Sequence, residues 1–152
     1  MTRGNLFVRY RNEDGSACEL HWFGNHDFYE SEVIPLIKEA ISLTKTDLKD
    51  HKGGTSSTIV AKLLFTNLAI ADEDEVFELG PVDDVCDYLY FIDVEVQEGC
   101  PFIMLRCFDV GCVRGKVTGE RWPKALSTPQ PFERLAEDFK LVLKEEVQLC
   151  GK

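Results

Sequence analysis

Residues 87–110 carry the clearest hydrophobic pattern in the chain. Tyr88, Tyr90, Ile92, Val94 and Val96 recur at period two, while Leu89 and Phe91 give way to Asp93 and Glu95 on the opposite side. That is the alternation of a β-strand with one face buried along its length. A second run follows Gln97-Glu98-Gly99-Cys100-Pro101. In it Phe102, Met104, Phe108 and Val110 share one parity and Ile103, Leu105 and Cys107 the other, which predicts a central strand covered on two sides. The two runs form a hairpin closed by a five-residue loop, with a Gly for a positive φ and a Pro for a fixed one. A hairpin alone is marginal in water, so other elements must cover it.

Upstream, residues 6–11 set Leu6, Val8 and Tyr10 against Phe7, Arg9 and Arg11, the pattern of a half-buried strand. Asp14-Gly15 signals a turn, and residues 17–23 make the return strand of a second hairpin. Ser31 followed by Glu32 reads as a helix cap with acid in the first turn. Ile34, Ile37, Ile41 and Leu48 then recur at helical spacing over residues 32–50, with Pro35 near the start and Gly53-Gly54 as the stop. Residues 55–71 open with β-branched side chains, yet Thr55, Thr58, Lys62 and Thr66 share one helical face, and the segment is read as a helix. Residues 72–87 read as an exposed connection with a short strand near 76–79.

Residues 111–131 are rich in Gly and Pro and hold at most a short strand at 113–117. Thr128 then reads as a cap and Pro129 as the first residue of a C-terminal helix, whose apolar stripe is Phe132, Leu135, Phe139, Val142 or Leu143, and Val147. No repeat or linker divides the chain, so residues 1–152 are expected to form a single globular α+β domain. The expected architecture is a mainly antiparallel sheet of two hairpins plus one or two further strands, with two or three helices packed on one face.

Composition alters this picture in two respects. No window approaches the length of a membrane span, and the first residues lack the apolar run of a signal peptide. The six cysteines (Cys18, Cys86, Cys100, Cys107, Cys112 and Cys150) form no C-x-x-C pair, so the expectation is reduced thiols in the cytoplasm. The net charge of −10 is unevenly placed. No Lys, Arg or His lies between Lys62 and Arg106, while that stretch holds Asp72, Glu73, Asp74, Glu75, Glu78, Asp83, Asp84, Asp87, Asp93, Glu95 and Glu98. Removing these eleven from the 27 acids leaves 16 against 17 Lys and Arg. The chain is near neutral apart from one acidic segment, which repels nucleic acid and anionic membranes and either attracts a basic partner or simply solvates the surface.

Candidate chemistry is sparse. Cys18, His21, His26 and Asp27 are the one local set of metal-ligand types, but Cys18 and His21 are an odd number apart and so point to opposite faces of a strand. No metal site is expected. Gly111-Cys112-Val113-Arg114-Gly115-Lys116 misses the phosphate-loop spacing by one residue and ends in Val117 where Ser or Thr is needed. Cys112 beside Arg114 has no specific partner that would make it a nucleophile. Asp72-Glu73-Asp74-Glu75 lacks the spaced ligands and mid-loop Gly of a calcium loop. Trp122, flanked by Arg114, Lys116, Arg121 and Lys124, is either a contact residue or a lid over the sheet edge.

The balance favours a small acidic cytoplasmic protein-interaction module over an enzyme. In this reading Asp72, Glu73, Asp74, Glu75, Glu78, Asp83 and Asp84, with Trp122, meet a basic protein partner, as in an inhibitor or immunity-type protein. No cofactor, nucleic-acid binding or membrane association is expected. The alternatives are an enzyme or small-ligand protein with a pocket between sheet and helices, built on His21, His26, Cys112 and Arg114, and a mimic of nucleic acid.

Overall fold

The computed structural model describes residues 3–24, 28–50, 55–80, 87–109 and 140–150. Their elements are β1 (Gly4–Arg11), β2 (Ala17–Gly24), α1 (Glu30–Lys49), α2 (Ser57–Ala71), β3 (Phe77–Glu78), β4 (Tyr88–Gln97), β5 (Cys100–Asp109) and β6 (Lys140–Gln148). The strands form one sheet in the order β3-β2-β1-β4-β5-β6, and the fold is α+β. Every pairing is antiparallel except that of β1 with β4, which run parallel with Leu6 opposite Tyr90 and Val8 opposite Ile92. That contact joins the two predicted hairpins into a mixed sheet. It needs the long crossover that α1, α2 and β3 provide, since parallel neighbours cannot be linked by a tight turn.

The helices cover one face. Leu6, Val8, Tyr10, Tyr90, Ile92, Val94, Ile103 and Leu105 point into a core with Ile37 and Ile41 of α1 and Leu64 and Leu68 of α2. β1 departs from the half-buried strand that its alternation predicts, because Phe7 and Arg9 on its other face are buried as well. Between the helices, the Asn67 amide donates to Thr44 Oγ1 at 3.0 Å and to Asp47 Oδ2 at 2.9 Å, so the buried polar groups of the contact are paired. Ser56 caps α2 by accepting from the Ile59 N–H.

Four expectations are corrected. The predicted C-terminal helix is a strand over its described part, β6, which pairs along β5. The central hairpin turns in two residues rather than five: Glu98 and Gly99 both have positive φ, 52° and 76°, and Pro101 already pairs with Val96. Such a turn matches the right-handed twist of its strands. α1 starts at Glu30 with Tyr29 as its cap residue, so Ser31 lies inside the helix and makes no cap bond. Finally, Cys100 and Cys150 form a disulfide that ties the start of β5 to the end of β6. The reading of reduced thiols fails for this pair, and the compartment inferred from it loses that support. No helix among the described residues is long and apolar enough to cross a membrane.

Phe28 anchors the start of α1. Gly4 and Gly24 are cross-strand partners, and their missing side chains make a slot for the Phe28 ring: a Cβ on Gly24 would lie 1.8 Å from Phe28 Cδ2. Gly24→Ala therefore overpacks this slot and is expected to cost about 1–3 kcal/mol of unfolding free energy, measured by urea denaturation. Cys100 and Cys150 are 50 positions apart, and on the chain-entropy account closing a loop of that length contributes about 4 kcal/mol. Reduction is expected to lower the urea midpoint of the wild-type chain and to leave that of Cys150→Ser unchanged.

Candidate functional site

The Phe28 slot decides which side chains meet at one end of the sheet. Tyr90 donates its hydroxyl to the Phe28 carbonyl at 3.1 Å, and the Phe28 ring stands edge-on to Tyr90 and Phe77. With Phe28 held there, the next residues, Tyr29 and Glu30, are placed over the start of β4. The Tyr29 ring meets Tyr88 edge to face at 6.4 Å, and Tyr88 in turn lies 6.2 Å from Tyr90. Tyr29 keeps 49% of its surface in solvent.

Tyr29 and Tyr88 wall a groove of about 530 Å³ between α1 and the sheet. Its apolar lining is Tyr29, Ile34, Tyr88 and Leu143. Glu30, Lys38 and Glu145 supply the charges, and Lys38 is 3.3 Å from the Glu145 carboxylate. Beyond that ion pair a smaller groove of about 280 Å³ continues between Ile41 and Val147.

The acids of the sequence reading separate into three groups. Asp93 pairs with Arg9, whose Nε and Nη2 donate to its two carboxylate oxygens at 2.8 and 3.0 Å. Glu95 and Glu98 lie at the far end of β4, about 23 Å or more from Tyr88 at 3.3 Å per residue. Of the other described acids, Asp72, Glu73, Asp74, Glu75, Glu78 and Asp87 gather at the near end. Asp72 is used by the fold, accepting from the Val76 and Phe77 N–H groups, each at 2.8 Å. Glu73, Asp74, Glu75 and Glu78 are exposed, and among the described residues the first three make no ion pair. Asp83, Asp84 and Trp122 lie outside the described residues, as do His26, Asp27, Cys112 and Arg114.

Register shows how far this end extends. Phe77, Gly24, Gly4, Tyr88, Asp109 and Lys140 form one in-register row across all six strands, and five spacings of about 4.8 Å make it about 24 Å wide. Asp87 precedes Tyr88, and Glu30 sits above it. Burial first, then Asp109, Glu30 and Asp87 among its neighbours, hold the Tyr88 phenol above its ordinary range. Glu30 and Asp109 thus belong to the acidic end, although they lie outside the acidic stretch of the sequence. The partnership of Asp109 with Tyr88 follows from the two-residue turn, which sets them opposite each other, whereas a loop centred on Gly99 would set Val110 there.

The opposite face of the sheet holds the other polar groups. His21 is clasped between the Gly80 carbonyl, 2.9 Å from Nδ1, and Asn5 Oδ1, 2.9 Å from Nε2, and stacks on Phe7 at 4.5 Å. Burial lowers its pKa, with the Gly80 contact acting the other way; both partners are acceptors, so a neutral ring, with a single N–H, donates to only one of them. Cys18 packs on the helix side of the same strand, so the two do not share a site. Glu19, Arg9 and Asp93 are neighbours across three strands, and Arg9 lies 4.5 Å over the Phe91 ring. Burial raises both carboxyls while Arg9 opposes the shift.

Burial also raises the phenols of Tyr10, Tyr88 and Tyr90 above the ordinary 10.0, and pushes the Cys107 thiol from 9.0 to about 12. Each group keeps its proton longer folded than unfolded. Its contribution is whole below the unfolded value and fades as pH climbs towards the folded one. The urea midpoint is therefore expected to fall steadily above about pH 9 and to fall less steeply in Tyr90→Phe. A midpoint that stays level across that range would contradict the burial of these groups.

No protein-family model matches this chain, and no curated protein or solved structure matches it.

Proposed function

We propose that the chain is a protein-interaction module whose acidic sheet end receives a basic surface of another protein. The carrying observation is the placement of Glu73, Asp74 and Glu75. They follow the C-terminal end of α2, which has no base in its last turn. A helix C-terminus carries partial negative charge, so acids there oppose the local field, by roughly 0.3–1 kcal/mol each when close to the end. Fold stability does not account for three exposed acids at that place. A cationic partner does, because exposed carboxylates that make no ion pair among the described residues attract a complementary surface and speed its docking.

Apolar side chains flank the charges. Ile70 and Leu79 are 61% and 63% exposed on either side of the acidic turn. Apolar anchors beside a charged rim are the usual composition of a protein contact. An inhibitor or immunity-type protein that masks a basic enzyme fits this arrangement, since such masking depends on rapid, salt-sensitive association.

The test is capture of binding partners at low and high salt with the wild-type chain and with the triple variant Glu73→Gln, Asp74→Asn, Glu75→Gln. The expected result is a basic protein retained at low salt, released as salt rises, and bound at a rate about tenfold lower by the variant at low salt. A partner held equally by both chains and indifferent to salt would overturn the proposal and favour the groove as a small-ligand pocket.

A further inference from the structure

We infer that the groove walled by Tyr29 and Tyr88 is the seat of an arginine side chain from the partner. This rests on the reading of the acidic sheet end as the partner-facing surface and adds the chemistry of its central contact. A guanidinium is planar, permanently charged and weakly hydrated, so it stacks on aromatic faces while donating to carboxylates in its own plane. The groove offers both partners. Tyr29 and Tyr88 supply the rings, inclined to each other by 66° rather than stacked in parallel. Glu30 supplies the carboxylate at the same mouth.

The remaining lining narrows the choice. Lys38 would repel a cation, but Glu145 holds it at 3.3 Å and offsets its charge. Glu30 is then the excess charge of the groove, and the groove is net negative. The smaller groove beyond the Lys38–Glu145 pair lies between Ile41 and Val147 and also carries Lys45, so it suits an apolar rather than a second basic residue of the same segment. A protein segment presenting arginine fits this pair of grooves better than a free small cation, which would leave the second one unused.

The test uses blocked tetra-arginine and tetra-lysine peptides as probes of the full chain, with affinity measured by calorimetry across a range of salt. Tetra-arginine is expected to bind at least threefold more tightly than tetra-lysine. Tyr29→Ala should weaken tetra-arginine binding about fivefold without changing the salt slope, and Tyr29→Phe should restore it. Glu30→Gln should weaken binding and reduce the slope. Tyr29 is half exposed, so Tyr29→Ala should fold, and an unchanged urea midpoint verifies that. If the acidic-turn triple variant weakens both peptides while Tyr29→Ala leaves them unaltered, or if arginine and lysine bind equally, the groove inference is overturned and the acidic surface stands. If no variant changes binding, both fall.

Discussion

The burial of Phe28 between two glycines is the contact on which the arrangement of this protein depends. Gly4 and Gly24 face each other across β1 and β2, and the ring fills the space their side chains would occupy. Full burial of a phenylalanine contributes about 1.5–3 kcal/mol, but its directional effect is the more important one. Tyr90 Oη binds the Phe28 carbonyl, so one residue ties the first hairpin to the second at the start of their parallel contact. The chain leaves that point directly into α1. Helix, parallel pairing and aromatic ladder are thereby placed relative to one another before any long-range charge acts.

The same geometry explains why charge collects where it does. α2 begins near the far end of β1, where Ser57 hydrogen-bonds the Arg11 carbonyl, and its end leads into β3 beside Gly24. α1 begins at that near end. The sheet end therefore carries the start of one helix and the finish of another, whose partial charges have opposite signs. Glu30 and Glu32 are favoured by the first; Glu73, Asp74 and Glu75 are opposed by the second. Helix electrostatics alone would have placed acids on one side of this end and bases on the other.

Much of the fold was legible because alternation is a local property. Although the turn of the second hairpin is shorter than its Gly and Pro suggest, the strands of both hairpins and the α2 segment follow from side-chain period, and the turn of the first from Asp14-Gly15. The C-terminal strand did not, and the reason is specific. The register of β5 and β6 shifts between Cys107 and Phe108, whose partners are Leu143 and Leu141, leaving Val142 as the extra residue. A bulge of this kind brings neighbouring side chains to one face, and both Val142 and Leu143 pack on the core. Adjacent apolar residues followed by Val147 four positions later imitate a helical stripe. Only the need of β5 for a second neighbour distinguishes the two, and that need is tertiary.

The site was less legible than the fold for a related reason. Contiguity in sequence identified Glu73, Asp74, Glu75 and Glu78, which do remain together. It also grouped Asp93, Glu95 and Glu98 with them, although a ten-residue strand carries such residues to the opposite end of the sheet and Arg9 claims Asp93 from the central strand. What completes the near end is a set of residues far apart in the chain: Tyr29 and Glu30 at a helix start, Tyr88 at a strand start, Asp109 at a strand finish. None has a motif. Each is there because an element begins or ends beside the Phe28 slot, so the composition of this surface is a consequence of chain topology rather than of local charge density.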